Sequence, residues 1–533
     1  MRVTIASRRS DLARIQAYQV GEALRAAHSQ IEINYSFHES LGDKNLNDPL
    51  WKMPEKGVFT QDFREGLLRG DFDLVVHSWK DLAIEDDPET EIVATLARAD
   101  QRDLLLVRKD RWTEIERTGV LSILTSSPRR AHNLNSFLRS ALPAKIEDLK
   151  FENVRGNVPT RVRKLLQGDA DGLIVAKAAI DRLLEARGSG MTQGPNEFAE
   201  TQNELRQALS QCRWMVLPLR ENPSAPAQGA LAVEISCARP DMRELLMPLN
   251  CADTFRAVES ERKILRSYGG GCHQKIGASV LHRSYGEITF LRGVTDAGAV
   301  LDRATLEPSK PRPPRVSRDE MWPLSLSDAH FFGREPASLA DWSARVPLAT
   351  IARTSSASET LALQSALWIA RADALPGDCQ VQDGQLVWVS GLQTWRNLAR
   401  RGVWVNGCAE GLGEHESPRI ETLTGETVSW LKLTHESGYT EGEMQTLATY
   451  RLIPKAESVD LSGKKYFFWK SGSAFEYALS QNAWLKEMTH FCGPGNTLKI
   501  LQKHGIEPHI FLDHQQWLEQ MAVSEPGAVA TGS

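Results

Sequence analysis

Cys272 stands directly behind three glycines, in the stretch SYGGGCHQKIG from Ser267 to Gly277. Glycine permits positive φ and lets another group come close to the backbone, so Gly269, Gly270 and Gly271 suit an open loop that presents the thiol to something bulky. The same spacing also fits an ordinary turn with an inert cysteine. Asp81, next to Lys80, follows the apolar run DLVVHS. It could do acid–base or charge-stabilising work, or merely complement a helix N-terminus. A second apolar run, LSIL, delivers Thr125, Ser126 and Ser127, then Arg129 and Arg130, and NVRGNVPTRVRKL carries Arg155 and Arg161 on either side of a small-residue turn. Guanidinium keeps its charge when partly desolvated and engages carboxylates by paired hydrogen bonds. Adjacent arginines are usually solvated surface charge; these stand out because they follow a hydroxyl-rich strand end.

The elements that must position these residues alternate. RVTIA, IEINYSF and DLVVHS read as strands, LARIQAYQVGEALRAAH and FTQDFREGLLRG as helices, and LSILTSS, RRAHNLNSFLRSAL, DGLIVA and KAAIDRLLEA repeat the rhythm. This predicts an α/β fold with mainly parallel strands in two lobes, with a cleft beyond the strand ends. A polar stretch from Arg187 to Glu204 reads as an insertion or mobile loop. The proline-rich, basic segment LEPSKPRPPRVSRDEMWP predicts an extended linker, and the remainder has its own alternation, with strands at LVWVS and KYFFW and helices at SAFEYALSQNAWLKEM and NTLKILQKHG. The domains expected are 1–96 with a return segment at about 197–219, 97–196, 220–305, a linker at 306–336, and a separate module at 337–533.

Composition bounds the setting. The chain has 533 residues, 41% of them hydrophobic and 25% charged, enough for three or more folding units. The N-terminus lacks the apolar core of a signal peptide and no apolar run approaches a membrane span, so a cytoplasmic location is expected. Seven scattered cysteines without a CxxC pair predict reduced thiols and no metal site. A net charge of −5 argues against bulk nucleic-acid binding, so a cationic site must be a local construction.

Taken together, ASRRSDLARIQ (Ala6 to Gln16), KGVFTQD (Lys56 to Asp62), VHSWKDL (Val76 to Leu82), TSSPRRA (Thr125 to Ala131), VRGNVPTRVRKL (Val154 to Leu165), APAQGALAVE (Ala225 to Glu234) and ERKILRSYGGGCHQKIG (Glu261 to Gly277) resemble porphobilinogen deaminase, or hydroxymethylbilane synthase. The resemblance covers essentially residues 1 to 300. It implies two periplasmic-binding-protein-like lobes, a small α+β cofactor domain, and a dipyrromethane cofactor attached through a thioether to Cys272. It further implies that Asp81 is catalytic, and that Lys80, Ser10, Thr125, Ser127, Arg129, Arg130 and Arg155 contact the cofactor. Arg8, Arg155, Arg161 and, more loosely, Arg182 are implied to bind substrate, with Lys52, Lys56 and Phe59 in a lid. The implied substrate is porphobilinogen and the product hydroxymethylbilane, passed to the C-terminal module or to the next enzyme, with no nucleic acid or membrane partner. The family's usual proline three residues after the cysteine is Lys275 here. The two-lobed pattern alone also suits an anion-binding protein without chemistry, a reading that leaves Cys272 and Asp81 unexplained.

The C-terminal region resembles uroporphyrinogen-III synthase more faintly, at LATYRLIPK, YFFWKSGSAFEYAL and CGPGNTLKILQKHGIEP. The resemblance implies roles for Tyr450, Ser471 and Thr497. Gly495 and Asn496 replace the family's threonine pair, and the alternative is a module without activity, kept for packing or partner binding.

Overall fold

The structure is a computed structural model that describes residues 1–39, 61–186, 196–270, 274–336, 366–377, 379–436, 438, 444–457 and 459–522. Contacts divide the chain into two units. One comprises Met1–His282, Thr289–Arg303 and Arg419–Thr427, the other Arg283–Ile288, Ala304–Pro418 and Val428–Ser533.

The first unit is built on two five-stranded sheets, one to each lobe. In the first sheet Arg2–Arg8 lies between Glu32–His38 and Leu74–Ser78, followed by Leu231–Ser236 and Thr90–Ala94. Leu74–Ser78 is buried along almost its whole length, as an apolar run covered on both faces should be. The helix Asp11–Ala27 turns Ala17, Val20 and Leu24 onto Val3, Ile5, Leu74 and Val76, each large side chain contributing about 1.5–3 kcal/mol by leaving water. The second sheet runs Asp148–Glu152, Val120–Leu124, Gly172–Ala176, Asp103–Arg108, Cys212–Val216.

Neither sheet is as parallel as the strand–helix rhythm suggests. Leu231–Ser236 is antiparallel to both its neighbours, and so is Asp103–Arg108. The cause is the double crossing between lobes: the chain leaves the first sheet after Ala94 and returns to it at Leu231, so each arriving strand runs against its new neighbours. The two crossings touch, with Ala99 N donating to Gly229 O at 3.2 Å and Gln228 Nε2 to Gln101 O at 2.8 Å. The return strand is therefore Leu231–Ser236; Cys212–Val216, inside the expected return segment at 197–219, pairs instead with Asp103–Arg108. The polar stretch 187–204 is also not a loop throughout. A helix, Ala199–Gln211, begins within it, burying Leu205, Ala208 and Leu209 on one face.

Local signals set the helices that carry the arginines. Ser127 caps Pro128–Ala141, and Asn157 caps Val158–Gln167 by accepting from Thr160 N at 3.0 Å; each helix has proline in its first turn. Arg129, Arg130 and Arg161 thereby sit in the opening turns, at the strand ends of the second sheet. Three further strands, Gly277–Arg283, Gly286–Val294 and Val300–Pro308, form a small sheet that follows the cysteine loop. A side chain at Gly277 would collide with the Pro223 carbonyl and press on Arg129 Cδ, 3.0 Å away.

The second unit is α/β. It holds a six-stranded sheet, ordered Phe332–Pro336, Gln445–Pro454, Leu431–His435, Ala366–Ile369, Leu386–Val389, Gly407–Cys408, and a parallel three-stranded sheet of Tyr466–Trp469, Thr489–Cys492 and His509–Ile510. The expected linker at 306–336 is part of this unit rather than a connector. Met321 bridges to Tyr466 and Leu326 to Trp469, and Leu326 and Phe331 are buried with Phe467, Trp469 and Phe475. Scattered apolar residues, Met321, Leu326 and Phe331, overcome the extended bias of the prolines. The helix expected over Ser473–Met488 ends at Gln481, where Asn482 N takes the Ala478 and Leu479 carbonyls, and a short 3-10 turn, Ala483–Glu487, follows.

Candidate active site

Asp103 organises the cationic side of the first unit. Its carboxylate, wholly buried, accepts Arg130 Nη2 at 2.6 Å and Nε at 3.0 Å, Arg129 Nη2 at 2.9 Å, Asn222 Nδ2 at 2.8 Å and Gln228 Nε2 at 2.8 Å. Although burial opposes ionisation, the two guanidinium groups hold this carboxyl far below the usual range. Arg129 also donates to Asn222 Oδ1 and to the Pro223 carbonyl, and Arg130 to the Ile174 carbonyl. These bonds use three of the five N–H donors on each arginine and fix the direction of the remainder.

Lys80 joins the cluster from the first lobe. It is half-buried, donates to Gln228 Oε1 at 3.4 Å, and is pushed below the usual lysine range by burial, with Asp81 opposing and Arg130 reinforcing that shift. Arg161 donates through Nε to Gly156 O at 2.8 Å and is pushed down to about 10, first by burial and then by Arg130, with Asp81 pulling the other way. It therefore stays charged at neutral pH. Arg155 acts on the same guanidinium. Asp81, in the short 3-10 turn Trp79–Asp81, is exposed and shares a small cleft with Arg8, Ser10, Gln16 and Ser78. Ser10 precedes the helix Asp11–Ala27 but makes no side-chain cap, and Thr125 Oγ1 accepts from Ser127 N at 3.3 Å.

Arg182 stands apart. It is buried against Gly229 O at 2.7 Å, and its electrostatic neighbours are Asp181 and Glu185 rather than the arginine cluster. Cys272, Lys52, Lys56 and Phe59 lie outside the described residues. The flanks of the cysteine loop are described: Gly269 and Gly270 have φ of 96° and 69°, the left-handed region that the glycine run anticipates, and Gln274 Nε2 donates to Tyr268 O at 2.6 Å.

The helix Ala252–Ser267, which leads into that loop, also holds the segment after Asp81. Arg262 donates to the Ala83 carbonyl and Arg266 to Ile84 O at 2.6 Å. Its buried Glu261 receives both Arg98 Nη1 and Nη2, at 2.7 and 2.8 Å, and the backbone N–H groups of Ala227 and Val280. Asp103, Asn222, Gln228, Glu261 and Arg262 were not anticipated from sequence. The available signal was a charged residue directly before the apolar run LLLV, which calls for a buried partner.

In the second unit a cavity of about 200 Å³ is lined by Tyr450, Ser471 and Thr497 together with Asp328, Arg371 and Glu414. Ser471 caps the helix Gly472–Gln481 and donates to Asp328, which also pairs with Arg371 Nη2 at 3.0 Å. Tyr450 is buried and its hydroxyl is pushed above the usual range by that burial.

Residues 3–244 match the family model described as "Porphobilinogen deaminase, dipyromethane cofactor binding domain". The porphobilinogen deaminase of Desulfitobacterium hafniense is 37% identical over 277 residues, which span 52% of this chain and 79% of that protein. The chain belongs to the porphobilinogen deaminase family. The deaminase of Syntrophobacter fumaroxidans is 32% identical over 319 residues, 60% of this chain and 92% of the relative. Among solved structures, a TRAP periplasmic solute binding protein from Desulfovibrio salexigens is 9% identical over 50% of this chain and 79% of its own, with a TM-score of 0.26. The BvgS periplasmic VFT2 domain of Bordetella pertussis is 10% identical over 49% and 92%, with a TM-score of 0.25. Porphobilinogen deaminase function is thus carried by the N-terminal half, which includes the domain that binds the dipyrromethane cofactor. The residues present fit such a carboxylate-bearing group: Lys80, Arg129, Arg130, Arg155 and Arg161 supply cations that act on one another, with Asp81 and Asp103 among their counter-charges. Among the described residues no helix is long and apolar enough to cross a membrane.

Proposed function

We propose that the N-terminal unit joins four porphobilinogen molecules head to tail, with release of ammonia, on a dipyrromethane anchored at Cys272, and that the second unit is a uroporphyrinogen-III synthase that closes the linear product. The observation that carries the first part is the exposed Asp81 carboxylate, which lines a cleft with Arg8 and acts on the neighbouring Lys80 and Arg161 cations. The covalent group, when bound, supplies the growing end and keeps each addition intramolecular. Arg129, Arg130 and Arg155, with Lys80, Ser127, Thr125 and Ser10, are the residues assigned to hold it. Arg129 and Arg130 arrive already oriented by Asp103, so little side-chain entropy is lost in binding carboxylates. Arg8 and Arg161 take the carboxylates of incoming porphobilinogen. Asp81 stabilises the positive charge that develops as ammonia leaves and moves protons at the pyrrole nitrogen. Arg182, buried on Gly229 away from this cluster, is assigned to steadying the crossing between the lobes.

Support for the second activity is the convergence of Tyr450, Ser471 and Thr497, from three separate segments, on one cavity. A fused second unit would receive a labile product at high local concentration. The proposed setting is the cytoplasm, where free thiols such as Cys212, Cys237 and Cys492 would stay reduced.

The test is to supply the purified full chain with porphobilinogen, titrate the ammonia released, and separate the uroporphyrin isomers after oxidation. One ammonia per porphobilinogen consumed, with type III isomer in excess, is expected. Type I alone would remove the second activity, and absence of ammonia the first.

A further inference from the structure

The cavity of the second unit contains a buried carboxylate with one oxygen committed and the other not. Glu414 Oε1 accepts Lys432 Nζ at 2.5 Å and Asn496 Nδ2 at 2.8 Å. Its side chain is 5% exposed, and among the described residues Oε2 has no hydrogen-bond partner. Both Glu414 and Lys432 line the cavity. A buried acceptor left without a donor is costly, so the arrangement calls for a donor brought by whatever fills the space.

Asp328, paired with Arg371, is a second carboxylate in the lining, but the helix ends of the cavity have the opposite preference. The N-termini of Gly472–Gln481 and Asn496–Lys503 open into it, at Gly472 and Ser473 and at Asn496 and Thr497. Arg371 enters from the six-stranded sheet. Helix N-termini and guanidinium favour carboxylate groups, whereas Glu414 repels them. A simple anion satisfies only half of this site. A molecule bearing both carboxylates and ring N–H donors satisfies all of it, and a linear pyrrole chain has that chemistry.

We propose that Glu414 is a substrate-recognition residue of the second unit. Its Oε2 accepts a pyrrole N–H of the linear tetrapyrrole, while the two helix N-termini and Arg371 take the carboxylates; this rests on the reading of that unit as a uroporphyrinogen-III synthase. Lys432 and Asn496 hold the carboxylate in place, so Asn496, which departs from the family's threonine, has a positive role.

The test uses the full chain and the isomer assay with Glu414→Gln. Removing one partner of a buried ion pair can unfold the unit, so Glu414→Gln/Lys432→Met, which removes both charges, is measured beside it. Tryptophan-monitored unfolding reports folding, and ammonia release reports the N-terminal reaction independently. The result expected is at least a tenfold fall in the rate of type III formation in every variant that folds, with ammonia still released. Type III formation within twofold of the parent in a folded variant would overturn the role of Glu414 while leaving the second activity intact. A parent chain that makes only type I product would overturn the second activity, and this proposal with it.

Discussion

Asp81→Asn is expected to lower the rate of ammonia release by about 10²- to 10⁴-fold, the range for removing a positioned acid–base or charge-stabilising group. The substitution keeps the size of the side chain and removes its charge. Asp81 is exposed in a short turn, and the segment after it is held by Arg262 and Arg266 rather than by its own carboxylate. Unfolding should therefore shift by no more than about 0.5 kcal/mol, as for other surface changes. The two measurements belong together: a large loss of rate with an unchanged unfolding midpoint assigns the effect to chemistry. A variant that releases ammonia within twofold of the parent would exclude Asp81 from the reaction.

Asp103→Asn is expected to have the largest effect on stability, destabilising the N-terminal unit by roughly 3–5 kcal/mol, because it leaves two buried guanidinium groups without their counter-ion. That is a substantial part of the roughly 5–15 kcal/mol that holds a domain together. Arg129 and Arg130 would retain the Asn222, Pro223 and Ile174 acceptors but lose every bond made to a charged oxygen. The sign with pH follows from the depressed carboxyl. Its contribution is fully present above the unfolded value of about 3.9 and is lost as pH falls from there towards the folded value, so parent and variant should converge in acid. Denaturant unfolding at pH 7 and at pH 3 checks both statements. Equal stabilities at pH 7 would show that the arginines are held by other bonds.

The strand–helix rhythm of the first 190 residues was legible because apolar runs such as LVVHS and GLIVA become covered strands, while the helices between them announce themselves by caps and periodicity. Which sheet each strand joins was not legible. Cys212–Val216 and Leu231–Ser236 have similar apolar patterns, and only the double crossing decides that the first stays with Asp103–Arg108 while the second returns. Residues 306–336 read as a linker because local composition dominates such a reading; their partners, Tyr466, Phe468 and Trp469, lie more than a hundred residues further along.

At the site the same division holds. Arg129, Arg130 and Arg161 were visible because strand-end hydroxyls, prolines and caps mark the opening turns of helices. Asp103 was hidden because the five hydrogen bonds it accepts come from residues at 129, 130, 222 and 228, which only the packed lobes bring together. Gln228 was hidden inside APAQG, where glutamine reads as a solvated loop residue; its amide instead spans Gln101 and Asp103. The charge of a cleft was therefore readable, and the group that orients it was not.

Cys272 is the residue proposed to carry the dipyrromethane. Its direct test is the intact mass of the purified protein under denaturing conditions, measured for the parent chain and for Cys272→Ser. An increment equal to a dipyrrole is expected on the parent and none on the variant. An unmodified parent mass, in protein produced with adequate porphobilinogen, would contradict it.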